Sequence, residues 1–347
     1  MGVAIGKLIE DAKQKFEINS SFSNKKFGFD ASNILYQFIT TIRGIDGEPL
    51  KNKDDKVTSH LNGLFYRILN LLSNNIDIYF IYDGKSIDLK HKTQNERRER
   101  KEIARESFKD AVERGDLEDM NKFSKRFASI DENIIEESKE LLSYMGVSII
   151  NAPSEAEAQI SYLTREKILD YTVSQDYDCL LFNSPNLVRN LTVSKKKKIP
   201  SKNIYVDISP EIIYLEKVLE KLNITREKLI YLSILIGTDF NDKIEGVGPK
   251  TALKLVLENN SFENIEKVLK EKNKVINFNY KEIYDIFDNP IISKSPEIYK
   301  NNFNKKKIEN MLVDKFDFSY ERVSSILNKF IKEKEESQKQ KIIDKWI

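Results

Sequence analysis

Two short stretches are dense in carboxylates. "APSEAEAQ" puts Glu155 and Glu157 into what reads as the first turn of a helix, and "SQDYDCLLF" follows with Asp176 and Asp178. Three more acids close apolar runs: Asp30 in "KFGFD", Asp83 in "IYFIYDG" and Asp239 in "LIGTDF". Taken singly, most have a plain structural use. Asp30 could cap the helix after it, Asp83-Gly84 is a common turn pair, and Ser154 with Glu157 three residues on fits a capping box. Gathered in one place, however, six or seven carboxylates repel one another, raise their own pKa values and cost stability. Cations remove that cost. Oxygen donors without histidine or thiolate select Mg²⁺ or Mn²⁺, and seven acids exceed what one hydrated Mg²⁺ needs. Two ions about 4 Å apart would use them, the arrangement for in-line displacement at phosphorus. The acids therefore predict a two-metal site that cleaves a phosphodiester.

Such a site needs a fold that brings distant residues to one edge. Strand-like runs at 26–30, 76–84, 146–153 and 169–176 alternate with helical patterns, the first being "ASNILYQFITTIR". That alternation predicts an α/β fold with a mostly parallel central sheet flanked by helices. The carboxyl ends of strands in such a sheet form the ligand crevice, and four of them here deliver acids. Asp239 ends a buried-looking helix. From about Ser209 the pattern turns helical, through "SPEIIYLEKVLEKL" and "TREKLIYLSILIG". The stretch 85–127 is helix-forming, charged and poor in apolar residues, so it is expected to project as a helical excursion. There is no internal repeat.

The chain has 347 residues, 32% charged and 40% hydrophobic, with a net charge of +2. This describes a soluble globular protein whose basic surfaces, if any, are local. One cysteine, Cys179, excludes an intramolecular disulfide and fits a reducing compartment. One cysteine and two histidines, His60 and His91, argue against a zinc site and a Ser-His-Asp triad. No apolar run approaches the ~20 residues of a membrane span. The N-terminus lacks a signal-peptide layout, and Gly6 stands where a myristoylation motif wants Ser or Thr. A cytoplasmic protein, or a nuclear one in a eukaryote, is the default.

"FDASNILYQFITTIR", "TSHLNGLFYRI", "YFIYDGKS", "APSEAEAQ", "SQDYDCLLF", "LIGTDF" and "IEGVGPKTA" follow one another in the order of the flap endonucleases. The chain resembles that family of structure-specific 5′ nucleases along its length, in an archaeal-type form. The resemblance implies a single nuclease domain over 1–330 (N-terminal region 1–105, helical arch 85–127, intermediate region 122–260 with a hairpin element near 240–258) and a tail at 331–347. It implies that Asp30, Asp83, Glu155, Glu157, Asp176, Asp178 and Asp239 bind two Mg²⁺ ions, directly or through waters, with Mn²⁺ able to substitute. Lys90 and Arg97 match the family's catalytic basic pair at the base of the arch, where cations stabilise charge on the scissile phosphate. Tyr36 matches a tyrosine that stacks on a base, a sequence-tolerant contact of about 1–3 kcal/mol. Arg67 matches a template-strand contact, and Arg43 is grouped with the DNA-binding residues. The loop 44–56 occupies the place of the wedge that splits the duplex, but it is polar here.

In "EGVGPKTA", Gly246 and Gly248 permit a tight turn and Pro249 starts a helix at its favoured position. Amides at a helix N-terminus attract phosphate, and Lys250 adds charge. This is the hairpin of a helix–hairpin–helix-like element that grips duplex backbone without reading sequence, and in the family it also holds K⁺. "SKKKKIP" (194–200) is read as a solvated loop. Near the end, Gln340, Ile343, Trp346 and Ile347 fit the pattern of sliding-clamp ligands, with Ile347 replacing the usual aromatic. The resemblance thus implies a monomeric enzyme that binds branched duplex DNA with a 5′ flap and a sliding clamp, with no membrane partner. It also implies 5′-3′ exonuclease activity and roles in Okazaki-fragment maturation and long-patch base excision repair. Two alternatives remain at this stage. Another 5′ nuclease of the superfamily, an exonuclease or junction resolvase, would carry long insertions between Asp83 and Glu155 or a long C-terminal region. A non-catalytic DNA- and clamp-binding scaffold would have lost acids.

Overall fold

The computed structural model describes residues 2–44, 47–87, 89–114, 116–126, 128–193, 196–199 and 204–343. Nine strands form among them: β1 (Lys13–Lys15), β2 (Lys26–Asp30), β3 (Asp77–Tyr82), β4 (Ser148–Asn151), β5 (Tyr171–Val173), β6 (Asn186–Arg189), β7 (Lys196–Ile199), β8 (Ile204–Asp207) and β9 (Glu211–Tyr214). Seven of them make one sheet in the order β1-β9-β6-β5-β2-β3-β4. Strands β2 to β6 run parallel, while β9 is antiparallel to both β6 and β1. The expected α/β architecture is present, with antiparallel strands added at one side.

The central strands are apolar on both faces, as helices on both sides require. On one face Phe29 and Phe80 stack with ring centroids 5.3 Å apart. On the other, Ile81 and Ile150 pack against Ile160 and Leu163 of the helix Ala156–Arg165. The chain builds outward from β2 to β3 and β4, then returns to the other side of β2 for β5 and β6. Strand order therefore reverses between β2 and β5. A crevice opens at such a reversal, because the helices after the two strands lie on opposite faces.

The structure departs from two of the expectations. The segment after Ser209 does not start as a helix: "EIIY" forms β9, and the helix Leu215–Leu222 begins only afterwards. Ile213 and Val218 are fully buried, so the apolar residues that suggested one helix serve a strand and a helix in succession. Lys196–Ile199 is not loop but a strand paired with β8; Ser194, Lys195 and Pro200 lie outside the described residues. The short strands β1, β6 and β8 went unread, β1 because "KQK" carries no apolar signal.

The charged excursion consists of the helices Lys90–Glu113 and Leu117–Arg126. Ala104, Phe108 and Ala111 are buried and provide its apolar seam. In the second half, the helices Arg226–Ile236, Pro249–Glu258, Phe262–Glu271 and Tyr280–Asp288 share a second apolar cluster with the N-terminal segment. The last helix, Tyr320–Ile343, buries Val323, Leu327 and Phe330. The residue-330 border thus falls inside a continuous helix, at the last residue it buries among those described. No helix of the described residues is long and apolar enough to cross a membrane.

Candidate active site

Asp30 is the last residue of β2 and the N-cap of the helix Ala31–Thr41, its Oδ1 accepting from Asn33 N at 3.0 Å. The capping role was foreseen, but it occupies one oxygen only. Oδ2 accepts from Ser174 Oγ at 3.1 Å, just beyond β5, across the strand-order reversal. Asp83 follows β3. It accepts from Ser32 Oγ at 2.6 Å and from Ala156 N at 2.8 Å, so it caps a helix other than its own. The loops after β3 and β4 are joined by Gly84 N to Ser154 O at 2.7 Å and Lys85 N to Pro153 O at 3.1 Å. Only glycine fits at 84, since a Cβ there would lie 2.1 Å from Ala152 O.

The capping box proposed for Ser154 and Glu157 is absent. The N-cap is Glu155, with no side-chain cap bond, and Ser154 Oγ instead donates to Lys85 O at 3.1 Å. Glu157 is therefore released from capping and faces the other acids. Asp176 Oδ2 accepts from Asn33 Nδ2 at 3.0 Å, and Asp178 Oδ1 accepts from Val3 N at 2.6 Å. The N-terminal segment is part of the site: a Cβ on Gly2 would come within 2.7 Å of Asp176 Cβ. Asp239 lies in a tight turn after the helix Arg226–Ile236, closed by Thr238 N to Asn241 O at 3.2 Å.

The electrostatics tie all seven acids together. Burial, then repulsion from Asp83 and Asp176, pushes the Asp30 carboxyl up to about 8. Burial, then Asp239 and Asp176, takes Asp178 to about 7. Glu157 is raised well above its ordinary value by burial, then by Asp30, Asp178 and Asp176. Burial also raises Glu155, against the pull of Lys90. Lys90 is the cation of the group. Its Nζ donates to Glu155 Oε2 and lies 5.3 Å from the Phe240 ring centroid. Burial works to lower its pKa, but Glu155, Glu157 and Asp239 outweigh this and hold it above the ordinary lysine value.

Among the described residues Lys90 does not balance seven acids, and the donor set is oxygen, since the Cys179 thiol beside them is pushed well up by burial, then by Glu157, Asp30, Asp178 and Asp176. The residues fit hard divalent cations. Among the described residues no three such side chains are drawn together into a ready-made metal cage. The acids instead line an open sheet edge, which suits an ion that keeps several waters.

The remaining expected residues are placed as follows. Tyr36 is 41% exposed, so it is not a core residue. Arg67 donates to Thr192 O and stands over the Phe38 ring. Arg43 donates to Gly47 O at 2.7 Å and Ser124 Oγ at 2.6 Å, joining the loop 44–56 to the second arch helix. Gly248 is the N-cap of the helix Pro249–Glu258, and Gly246 takes φ +69° in the turn before it. Lys250 stands in that helix's first turn. Arg97 falls on the helix Lys90–Glu113, its side chain outside the described part. Gln340 and Ile343 fall on the last helix, their side chains likewise outside; Trp346 and Ile347 lie outside the described residues altogether. Sequence reasoning missed Ser32, Asn33, Ser174 and the Gly2-Val3 segment. The polar pair Ser32-Asn33, opening an otherwise apolar helix beside Asp30, was a usable signal.

An acid-lined strand-order reversal, a basic residue at the foot of a helical arch and a hairpin that opens a helix define a metal-dependent nuclease built around one sheet. The profile of the XPG N-terminal domain matches residues 1–104 and that of the XPG I-region residues 146–239. Flap endonuclease 1 of Thermococcus onnurineus is 41% identical over 347 residues, 100% of this chain and 99% of that protein. The solved flap endonuclease-1 from Methanococcus jannaschii superposes with a TM-score of 0.73 at 37% identity, over 96% of this chain and 98% of that one. The catalytic core of Rad2, solved in complex with DNA substrate, shares the fold with a TM-score of 0.70 at 23% identity, over 95% of this chain and 100% of that one. The chain belongs to the flap endonuclease family. It is a structure-specific 5′ nuclease, a hydrolase that acts on DNA, uses divalent metal and serves replication and repair.

Proposed function

We propose that Asp30, Asp83, Glu155, Glu157, Asp176, Asp178 and Asp239 together hold two Mg²⁺ ions, replaceable by Mn²⁺, at the β2/β5 reversal. The observation that carries this is the mutual repulsion that links the seven acids, several of them held above their ordinary pKa by burial and by one another, with Lys90 drawn to Glu155, Glu157 and Asp239. Bound there, divalent ions supply the Lewis acidity and activation of water that in-line displacement at phosphorus needs. The protein's own residues place the substrate. Lys90, held by Glu155, stabilises charge developing on the scissile phosphate, with Arg97 from the same helix as its partner. Tyr36 supplies a stacking face for a base near the junction.

Duplex DNA rests on the hairpin, where Gly246, Gly248 and Lys250 present helix N-terminal amides and a positive charge to phosphate, with K⁺ as a further ligand there. Arg43 and Arg67 act near the junction, Arg43 through the wedge loop that it braces. The flap passes through the arch 85–127. The enzyme works as a monomer, with exonuclease activity at 5′ ends. Gln340, Ile343, Trp346 and Ile347 carry a sliding-clamp motif beyond the nuclease domain 1–330.

Cleavage of double-flap DNA with Mg²⁺ tests this site directly. Several kcal/mol of transition-state stabilisation are at stake, so Asp176→Ala should lower the rate on the order of 10³-fold or more. Wild-type activity in that variant would remove the metal assignment. Removal of 340–347 should abolish clamp binding and leave flap cleavage intact; unchanged clamp binding would remove the tail assignment.

A further inference from the structure

The sheet ladder that supports the acid loop runs out one residue too soon. Its last link between β5 and β6 is Ser174 N to Val188 O at 3.3 Å. The next four residues, Gln175 to Asp178, contain two of the metal-site acids and leave the sheet. Arg189, the last residue of β6, reaches over to this segment. Its Nε donates to Gln175 O at 3.1 Å, taking up where the ladder stops. Its guanidinium lies 4.2 Å from the Tyr177 ring centroid and donates to the Tyr177 hydroxyl. The same group pairs with Glu211 Oε1 at 2.7 Å, its cross-strand partner on β9. Both side chains of the pair are largely buried, 17% and 20% exposed. One side chain thus grips both neighbours of Asp176, while Asn33 holds Asp176 itself and accepts from Gln175 N at 3.0 Å.

We propose that Arg189 is a positioning residue of the metal site: anchored by Glu211, it fixes the Gln175–Asp178 loop so that Asp176 and Asp178 reach the metals together. It touches none of the seven acids among its described contacts and acts through Gln175 and Tyr177. The planar fork is what the position needs, since three partners lie in three directions; a lysine has one charged head and does not span them. Residues that orient metal ligands from behind typically change metal affinity or activity by about 10–100-fold when removed.

The proposal rests on the metal-site reading above, and the experiment separates the two. Mn²⁺ is titrated into the full chain without DNA, with free Mn²⁺ followed by its electron spin resonance and folding followed by circular dichroism. Arg189→Ala should weaken Mn²⁺ binding about 10–100-fold, Glu211→Gln should weaken it less, and Arg189→Lys should restore part of the loss. The KM for flap DNA should be unchanged. Glu140→Gln breaks an ion pair elsewhere in the molecule, with Lys315 at 3.3 Å, and should leave Mn²⁺ binding at wild-type strength even where stability falls. A folded Arg189→Ala that binds Mn²⁺ within twofold of wild type overturns the proposal. If that variant does not fold, Glu211→Gln combined with Tyr177→Phe decides in its place, unchanged affinity again counting against it. Asp176→Ala is run in parallel: wild-type Mn²⁺ binding there sinks the metal-site reading itself, whatever Arg189 does.

Discussion

The acid edge and the arch are both rich in charge, yet they are physical opposites. At the edge Asp30, Glu155 and Asp178 are buried beside acids of the same sign. On the arch, charges of both signs alternate and pair along the helices, as in Arg105–Glu102 at 2.8 Å and Lys122–Asp119 at 3.0 Å. Opposite charges in water satisfy one another cheaply and contribute little either way. Like charges out of water raise each other's pKa until a cation joins them. Charge density alone is thus a poor pointer to function; sign and burial together are a good one. Lys90 connects the two regions, since it opens the first arch helix and lies among the acids.

That link is where the comparison is easiest to break. Lys90→Ala should lower the single-turnover rate on double-flap DNA by about 10²–10³-fold, the usual loss on removing one group that stabilises transition-state charge. Substrate affinity should change far less. A full-rate variant would mean that the arch and the edge work independently.

A smaller effect should appear in the metal-free protein as a function of pH. Asp30 has its carboxyl raised from 3.8 to about 8, so the folded state binds that proton more tightly than the unfolded chain does. Stability is therefore greatest at the acid end of the window and falls as pH rises from about 4 to about 8. Asp178, raised to about 7, adds loss of the same sign. In thermal melts with chelator, Asp30→Asn should gain on wild type by a few degrees between pH 5 and pH 8, and Mg²⁺ should close the gap. A gap that does not depend on pH would contradict the mutual repulsion of these acids. The smallest effect belongs to the arch: Glu102→Gln should change unfolding free energy by less than about 1 kcal/mol, read as a nearly unmoved melting temperature.

Much of the site could be read from residue types in order. The strand ending in Asp30 and the one that leads into Asp83 were legible because buried parallel strands leave continuous runs of branched and aromatic residues. The two glutamates were legible, but their local meaning was not. Ser154 and Glu157 have capping-box spacing, and only the pairing of the 84–85 backbone with 153–154 shows that Ser154 is engaged elsewhere. The strand β9 was hidden because "EIIYLEKVLEKL" has helical apolar spacing across both elements; pairing with β1 and β6 overrode it. Arg43 and Arg67 were read as DNA contacts by motif. The structure adds that both also brace the protein, Arg43 against Ser124 and Arg67 against Thr192.

The sequence by itself determined the chemistry. Seven acids with oxygen donors, most of them at or just beyond strand ends, and no histidine among them admit hard divalent ions and little else, because ligand type follows from the side chains; the neighbouring Cys179 is kept a thiol by burial and by these acids. Tertiary structure alone decided the geometry. Which strand lies beside which, and hence that Asp30 meets Ser174 and Asp176 across the β2/β5 reversal, depends on strand order, which no local pattern encodes. The same holds for the N-terminal Gly2-Val3 segment reaching Asp178 and for Arg189 taking over from the exhausted ladder. Contacts between different strands and loops, whether a dozen or more than a hundred positions apart, are set by how the layers pack, and that packing is settled by the whole core at once.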